Sequence, residues 1–510
     1  MSLKLNNVKN LVELIESEFS TEMNYYATPD VAVTAHAVGD VDSANWTQIL
    51  FERKIISSLP PSSKGDRFIE LERSLTSLYC FSLQGIEPDE AYDAFIDAQR
   101  NNPDVLTKDS FKRLYNQINS IINNKDKSDI LKRLIIYSDL GKSPQFRRVV
   151  KELSDKEIIK IDTSLDPDDL MTEILFKLND HQLTTVLPSF LQLSPHAKET
   201  LRKIYPIMQA CFGHIYFLER GELTFQTISQ ALGKIPTEER GEALDLVYLS
   251  QLYDGFGAQG QRQISGSLTC TENFYLGYLF IYESLLKLIQ QLNATENASS
   301  AANDAFQNYL HDRAQLLGFK PPLSSEQQFL TRMGCMLRGF TPEFGKILID
   351  EYGKLPNAQK KLLITQLNFS DQGLEGWTKA HYIATVPQNV SRSLFENNNV
   401  HDAIAQAIKS TVCFSMLTEE MRNRYASFVT DRSRVISFGE IAFLSSKSPE
   451  LFDPNIFNPT EYMFNPNNNK IMKIDDKKDL IYKNAATLCH FKPADESTKL
   501  ENRKSTHFHF

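Results

Sequence analysis

The chain has 510 residues, 41% hydrophobic and 23% charged, with a net charge of -9. That composition suits a folded, soluble protein with room for roughly two or three domains. It excludes collagen, a disulfide scaffold, a disordered chain and a membrane protein, and its acidic balance argues against a nucleic-acid binder, which needs a basic face.

Helical periodicity begins near the N-terminus. Val8, Leu11, Val12, Ile15, Phe19 and Met23 recur at three- and four-residue steps, one face of an amphipathic helix. The same spacing predicts helices over 46–56, 68–81, 91–98, 111–122 and 130–137. Further helices are predicted near 201–218, 243–253, 274–292, 302–317, 344–352 and 404–414. Pro88-Asp89 and Ser194-Pro195 read as helix starts, and Gly85, Gly141 and Gly221 as helix stops. Strand-like alternation is confined to 31–38, 435–438 and 470–474, so the prediction is an all-α fold.

The expected organisation is two helical lobes with an irregular C-terminal extension. Residues 293–304 are small and polar without an apolar stripe, and read as a linker between a lobe over 1–292 and a second over 305–445. Residues 446–491 form an irregular Asn/Pro/Phe-rich extension, in which Phe452, Phe457, Tyr462 and Phe464 alternate with Asn-Pro and Asp-Pro turns. Those aromatics either present a binding segment or pin the extension to the second lobe. Residues 492–510 read as a disordered tail.

Cys80, Cys211, Cys270, Cys335, Cys413 and Cys489 form no CxxC pair and sit mostly in apolar runs, a reduced, intracellular pattern. Residues 1–10 lack the apolar run of a secretory signal, and the longest apolar stretches, such as 276–282, are too short to span a bilayer. The expectation is a soluble intracellular protein, not exported by a cleaved signal.

Gly255-Phe256-Gly257-Ala258-Gln259-Gly260 matches GxGxxG, but a helical pattern precedes it where a dinucleotide site needs a strand. It reads as a flexible interhelical loop, with Arg262 beside it, and neither NAD nor haem is expected. His311-Asp312 and His401-Asp402 read as surface pairs. Cys211 and His214 share a helix face whose surroundings are apolar, and read as buried.

The most suggestive segment is Leu134-Ile135-Ile136-Tyr137-Ser138-Asp139-Leu140-Gly141-Lys142, an apolar helix ending in Asp-Leu-Gly-Lys. It resembles the His-Asp-Ile/Leu-Gly-Lys signature of the HD superfamily of all-helical, metal-dependent phosphohydrolases. The resemblance implies a divalent Mn, Fe, Mg or Zn ion whose bound water attacks phosphorus. Asp139 would be the bridging ligand and Lys142 the phosphate contact, with His181, His214 and Asp254 completing the metal set. Ser138 stands where the family has histidine, and His36 is the sole histidine upstream of Asp139. On the residues alone, Asp139 is a helix-end residue, with Gly141 as its stop and Lys142 answering the helix dipole.

The mixed-charge stretch 495–510 resembles the tails of effectors translocated by type IV secretion in intracellular bacteria such as Legionella. That resemblance implies delivery into a host cell without a cleaved signal. Two readings stay open: a phosphohydrolase acting on a phosphoester, and a non-catalytic effector binding a host protein through its helical lobes. Neither reading fixes the substrate or the oligomeric state.

Overall fold

The structure is a computed structural model that describes residues 11–26, 69–99, 104–165, 167–211, 218, 225–260, 266–367, 379–381, 384–425, 435–465 and 470–474. The predicted helix over 46–56, the strand over 31–38, Gly221 and the tail over 492–510 lie outside the described residues.

The fold is all-α, as the periodicity predicts. A π-helical turn, Ile15–Phe19, leads into α1 (Ser20–Tyr26). The first half continues with α2 (Ile69–Ser82), α3 (Pro88–Phe95), α4 (Lys108–Ile121), α5 (Lys125–Tyr137), α6 (Pro144–Asp155), α7 (Pro167–Lys177), α8 (Asp180–Val186), α9 (Pro195–Ala210) and α10 (Phe225–Leu232). Next come α11 (Arg240–Gly257), α12 (Glu272–Thr295), α13 (Ala298–Leu316), α14 (Ser325–Met336), α15 (Pro342–Gly353) and α16 (Asn357–Leu367). The last are α17 (Thr385–Glu396), α18 (Val400–Arg424) and α19 (Gly439–Lys447).

Several starts that apolar spacing alone passes over are set by side-chain caps. Ser143 accepts from the Phe146 N–H ahead of α6, with Pro144 in the first turn. Asn179 and Gln182 form a reciprocal capping box at α8, as Ser324 and Gln327 do at α14.

Two hydrophobic cores form. The first takes buried residues from Leu11 to Leu310 and reaches Cys335, and the second runs from Ala314 to Ile471. The change of core falls inside α13, so residues 293–304 are not a linker. They are divided between the end of α12 and the first turns of α13, where Ala301 and Ala302 are buried. Small alanines lack the large apolar stripe that marks a packed helix in sequence, yet they let α13 lie close against α12. At the changeover, the fully buried Arg313 lies 4.0 Å from the Phe340 ring centroid and donates to the Gly339 carbonyl at 3.1 Å.

The C-terminal extension belongs to the second core. Phe452, Phe457, Tyr462 and Phe464 are all buried there, which removes them from any exposed binding segment. Between them a four-stranded sheet forms from β1 (Lys379–His381), β2 (Val435–Ser437), β3 (Tyr462–Asn465) and β4 (Lys470–Lys473), in the order β1-β2-β4-β3. β2 is parallel to β1 and β4, whereas β3 and β4 pair antiparallel with Met463 opposite Met472. β2 and β4 match predicted strands, while β1, three residues long, is too short to show a period.

Candidate functional site

Asp139 and Lys142 sit where α5 passes into α6. The Ser138 N–H still bonds the Leu134 carbonyl, and Leu140–Lys142 then forms a single 3-10 turn. Gly141 is therefore not a left-handed helix stop. It is a buried turn residue whose carbonyl accepts from Arg147 Nε at 2.7 Å. Ser138 turns its hydroxyl back on the Ile135 carbonyl at 3.1 Å, a local bond that keeps it out of the cluster below.

Three elements bring their charges together here. From the turn come Asp139, which is buried, and Lys142, in ion-pair contact with it. α2 supplies Glu70 and Arg73, one turn apart, with Arg73 Nη1 3.1 Å from Glu70 Oε2. α11 supplies Asp254, whose Oδ1 is 3.3 Å from Arg73 Nη2 although the two residues are 181 apart in sequence. Lys142 Nζ also lies 3.8 Å from Glu70 Oε2. The Glu70 and Asp139 carboxyl groups face each other, with Lys142 beside both.

The glycines explain how α11 comes so close. A Cβ on Gly257 would lie 2.4 Å from the Arg73 carbonyl oxygen, and one on Gly260 would lie 2.5 Å from that of Glu72. Only hydrogen fits where the two backbones cross. Ser77 then donates to the Tyr253 carbonyl at 2.8 Å across the same crossing. Gly255 is likewise buried, with the Phe274 ring where its Cβ would be. The expected flexible loop is thus a tight helix crossing, with Gly255 and Gly257 inside the last turn of α11.

Electrostatics divides the two carboxyl groups. Burial raises Glu70 most, and the neighbouring Asp139 charge raises it further, beyond what Arg73 and Lys142 recover, so it titrates at about 8. Burial would also raise Asp139, but Lys142 and Arg73 hold it below the usual carboxylate range. Burial and the Asp139 charge thus favour the neutral form of Glu70. Arg73 and Lys142 bring two cations to the same cluster. Tyr26 closes the inner side; burial and then the Asp139 charge push its hydroxyl well up, and it donates to the Ile136 carbonyl. Exposure increases outward, from Asp139 (10% of the side chain) and Glu70 (11%) through Arg73 (21%) and Asp254 (27%) to Lys142 (36%).

Of the residues singled out in the sequence, Asp139, Lys142 and Asp254 come together, with Gly257 and Gly260 supporting the crossing. His181 does not join them: it is exposed near the start of α8, and its carbonyl accepts from Thr184 Oγ1. His36, His214 and Arg262 lie outside the described residues. Among the described residues, no group of three or more His, Cys, Asp and Glu side chains could hold a metal ion. The carboxylates of this cluster are already engaged by Lys142 and Arg73, so they do not fit a divalent ion. Sequence reading missed Glu70 and Arg73. Their signal, two charges one turn apart on an otherwise apolar helix stripe, is one that surface pairs share.

No helix among the described residues is long and apolar enough to cross a membrane. The five described cysteines are buried and unpaired with one another. An all-helical chain with two cores and an internal charge cluster defines the class. Residues 12–436 match the model of a family of unknown function, DUF6829, and the chain belongs to that family. The match spans the cluster and most of both cores. Neither the curated proteins nor the solved structures contain a match to the chain.

Proposed function

We propose that the chain is a phosphoester hydrolase whose working centre is the Glu70–Arg73–Asp139–Lys142–Asp254 cluster. The observation that supports this reading is the buried meeting of two carboxyl groups, Glu70 and Asp139, with the cations of Arg73 and Lys142. Neighbouring acids whose titrations are driven apart provide a proton donor and a fixed negative charge in one place. Lys142 and Arg73 supply positive charge on the more exposed side, where a phosphoryl group would approach.

The test is hydrolysis of p-nitrophenyl phosphate, bis-p-nitrophenyl phosphate and alkyl phosphates by the purified chain, with chelator and with added Mn or Mg. Turnover that Asp139→Asn and Lys142→Ala abolish, in folded variants, is the expected result. No turnover under any of these conditions would overturn the reading. The divalent ion that the HD resemblance implies is tested separately, as metal content of protein purified without chelator.

A second reading, a secreted effector that binds a host protein, has an observation of its own. Ile158 (46% exposed), Phe176 (45%) and Leu191 (57%) leave large apolar side chains in solvent on segments around α8. Its test is capture of a host protein that Leu191→Asp releases and Asp139→Asn does not.

A further inference from the structure

Residues 11–26 form one helical segment with three distinct faces. Leu11, Val12, Ile15, Phe19 and Met23 are buried in the first core, while Glu13, Ser17, Ser20 and Thr21 are exposed. The third face is polar and turned on α5. Glu18, Glu22 and Tyr26 follow one another at four-residue steps, so they line one side of the helix. Ile15–Phe19 winds as a π turn, a rare form that is frequent at functional sites.

The polar face brackets the turn that carries Asp139 and Lys142. Upstream, Glu18 meets Lys132 and Arg133, each at 3.0 Å. Glu22 accepts from the Ser189 hydroxyl at 2.6 Å, and that same oxygen lies 2.6 Å from Tyr137 Oη, two residues before Asp139. Tyr26 donates to the Ile136 carbonyl, and the Tyr25 carbonyl accepts from Ser143 Oγ, one residue after Lys142. The segment is therefore bonded to the chain on both sides of 138–142. The turn's own N–H bonds, Lys142 to Asp139 and Ser143 to Leu140, are of the 3-10 kind, whose poorer geometry holds a short piece weakly.

We propose that residues 11–26 are a strap whose docking sets the 138–142 turn, so that Asp139 and Lys142 face Glu70 and Arg73 only while the strap is seated. Apolar burial attaches the strap, and its polar face fixes how it sits. Rolling or sliding the segment would take Glu22 from Ser189 and Tyr26 from Ile136 together, and the turn would lose its bonds at both ends. Tyr26 is thus a positioning residue for the cluster. The effect on the turn stands by itself; the effect on turnover rests on the phosphoester reading above.

Hydrogen exchange read by mass spectrometry on the full chain tests this in Glu18→Gln, Tyr26→Phe and Gln192→Ala. Neither Glu18 nor Tyr26 bonds an amide of 138–143, so exchange there reports the turn and not the lost contact. The first two variants should speed exchange in both 11–26 and 138–143, by about fivefold for the one hydrogen bond lost in Tyr26→Phe, with α14–α18 unchanged. Gln192→Ala removes an acceptor of Arg133 but leaves the polar face of the strap intact, and should leave 138–143 as in wild type. Faster exchange in 11–26 with 138–143 unchanged, no change in either, or an equal rise across α14–α18 would overturn the strap. A Gln192→Ala effect as large as that of Glu18→Gln would do the same, by routing the coupling through Arg133. Phosphoester turnover should fall in Tyr26→Phe in step with the exchange, and turnover unaffected by a loosened turn would overturn the strap's control of the cluster. If wild type turns over no ester, the hydrolase reading falls, while exchange still decides whether the strap sets the turn.

Discussion

Two charged clusters lie along α5, and they use the same chemistry to different ends. Around Arg133, the buried Glu22 accepts from the Ser189 N–H at 2.9 Å and its hydroxyl at 2.6 Å. Arg133 donates to the Ser189 carbonyl, Glu18 and Gln192, and it stacks over the Phe19 ring at 5.0 Å. Each charge has its own partners, and the cluster ties the N-terminal segment to α5 and to the turn at Ser189. Past the end of α5, Asp139 and Glu70 have to share Lys142. Burial raises Glu22 too, but the Ser189 bonds oppose it, whereas Glu70 faces a second carboxylate. A buried charge with sufficient donors holds a fold together; two acids brought into contact shift each other's titration.

The largest effect that would sharpen this contrast is at Arg133. Arg133→Met should cost about 3 kcal/mol, because the buried Ser189 carbonyl loses its donor, while Glu18 keeps Lys132 at 3.0 Å. Denaturant unfolding measures it; a loss below about 1 kcal/mol would break the claim that this cluster is the structural one. Gly257→Ala comes next, at about 1–3 kcal/mol, since the new methyl meets the Arg73 carbonyl and Ser77. It should also weaken phosphoester turnover by moving Arg73 away from Asp254, a combination that unfolding and kinetics read together.

Glu70→Gln should act through pH. The Glu70 carboxyl titrates at about 8 when folded against an ordinary value of 4.5, so folding favours its protonated form. Its contribution to stability is fully present below 4.5 and is lost as pH rises through about 8. Wild-type stability should therefore decline across that window with a slope of up to about 1 kcal/mol per pH unit, and the variant should flatten it. Asp139, held low, works in the opposite sense and weakens the fold only on acidification. Unfolding at several pH values checks both signs. Tyr26→Phe should show the smallest effect, about 1 kcal/mol, by freeing the Ile136 carbonyl that its hydroxyl caps.

Much of the fold can be read in the chain because helices announce themselves locally. Phe111, Leu114, Tyr115 and Ile118 repeat at helical spacing and are buried as that spacing predicts. α13 was harder to read, since its first turns are alanine and serine and reveal their packing only against α12. The Phe-rich extension carries turn signals that fit a loose segment as well as a docked one, and burial in the second core distinguishes them. At the site, Asp139 and Lys142 stood out as a helix-end pattern. Glu70 and Arg73 did not, because a charged pair one turn apart is common on any helix surface.

The sequence by itself determined the helical class, the helices with a clear apolar stripe such as α4, α5, α11 and α12, the absence of zinc-type cysteine pairs, and Asp139 and Lys142 at a helix end. Periodicity, capping and short spacing are properties of neighbours in the chain, so they need no fold to be visible. Tertiary structure alone decided that α11 crosses α2 through its glycines and brings Asp254 to Arg73. The packing of α2 on α5 sets Glu70 against Asp139. Such pairings depend on the approach of backbone segments far apart in the chain, and only the packed fold fixes which charges meet.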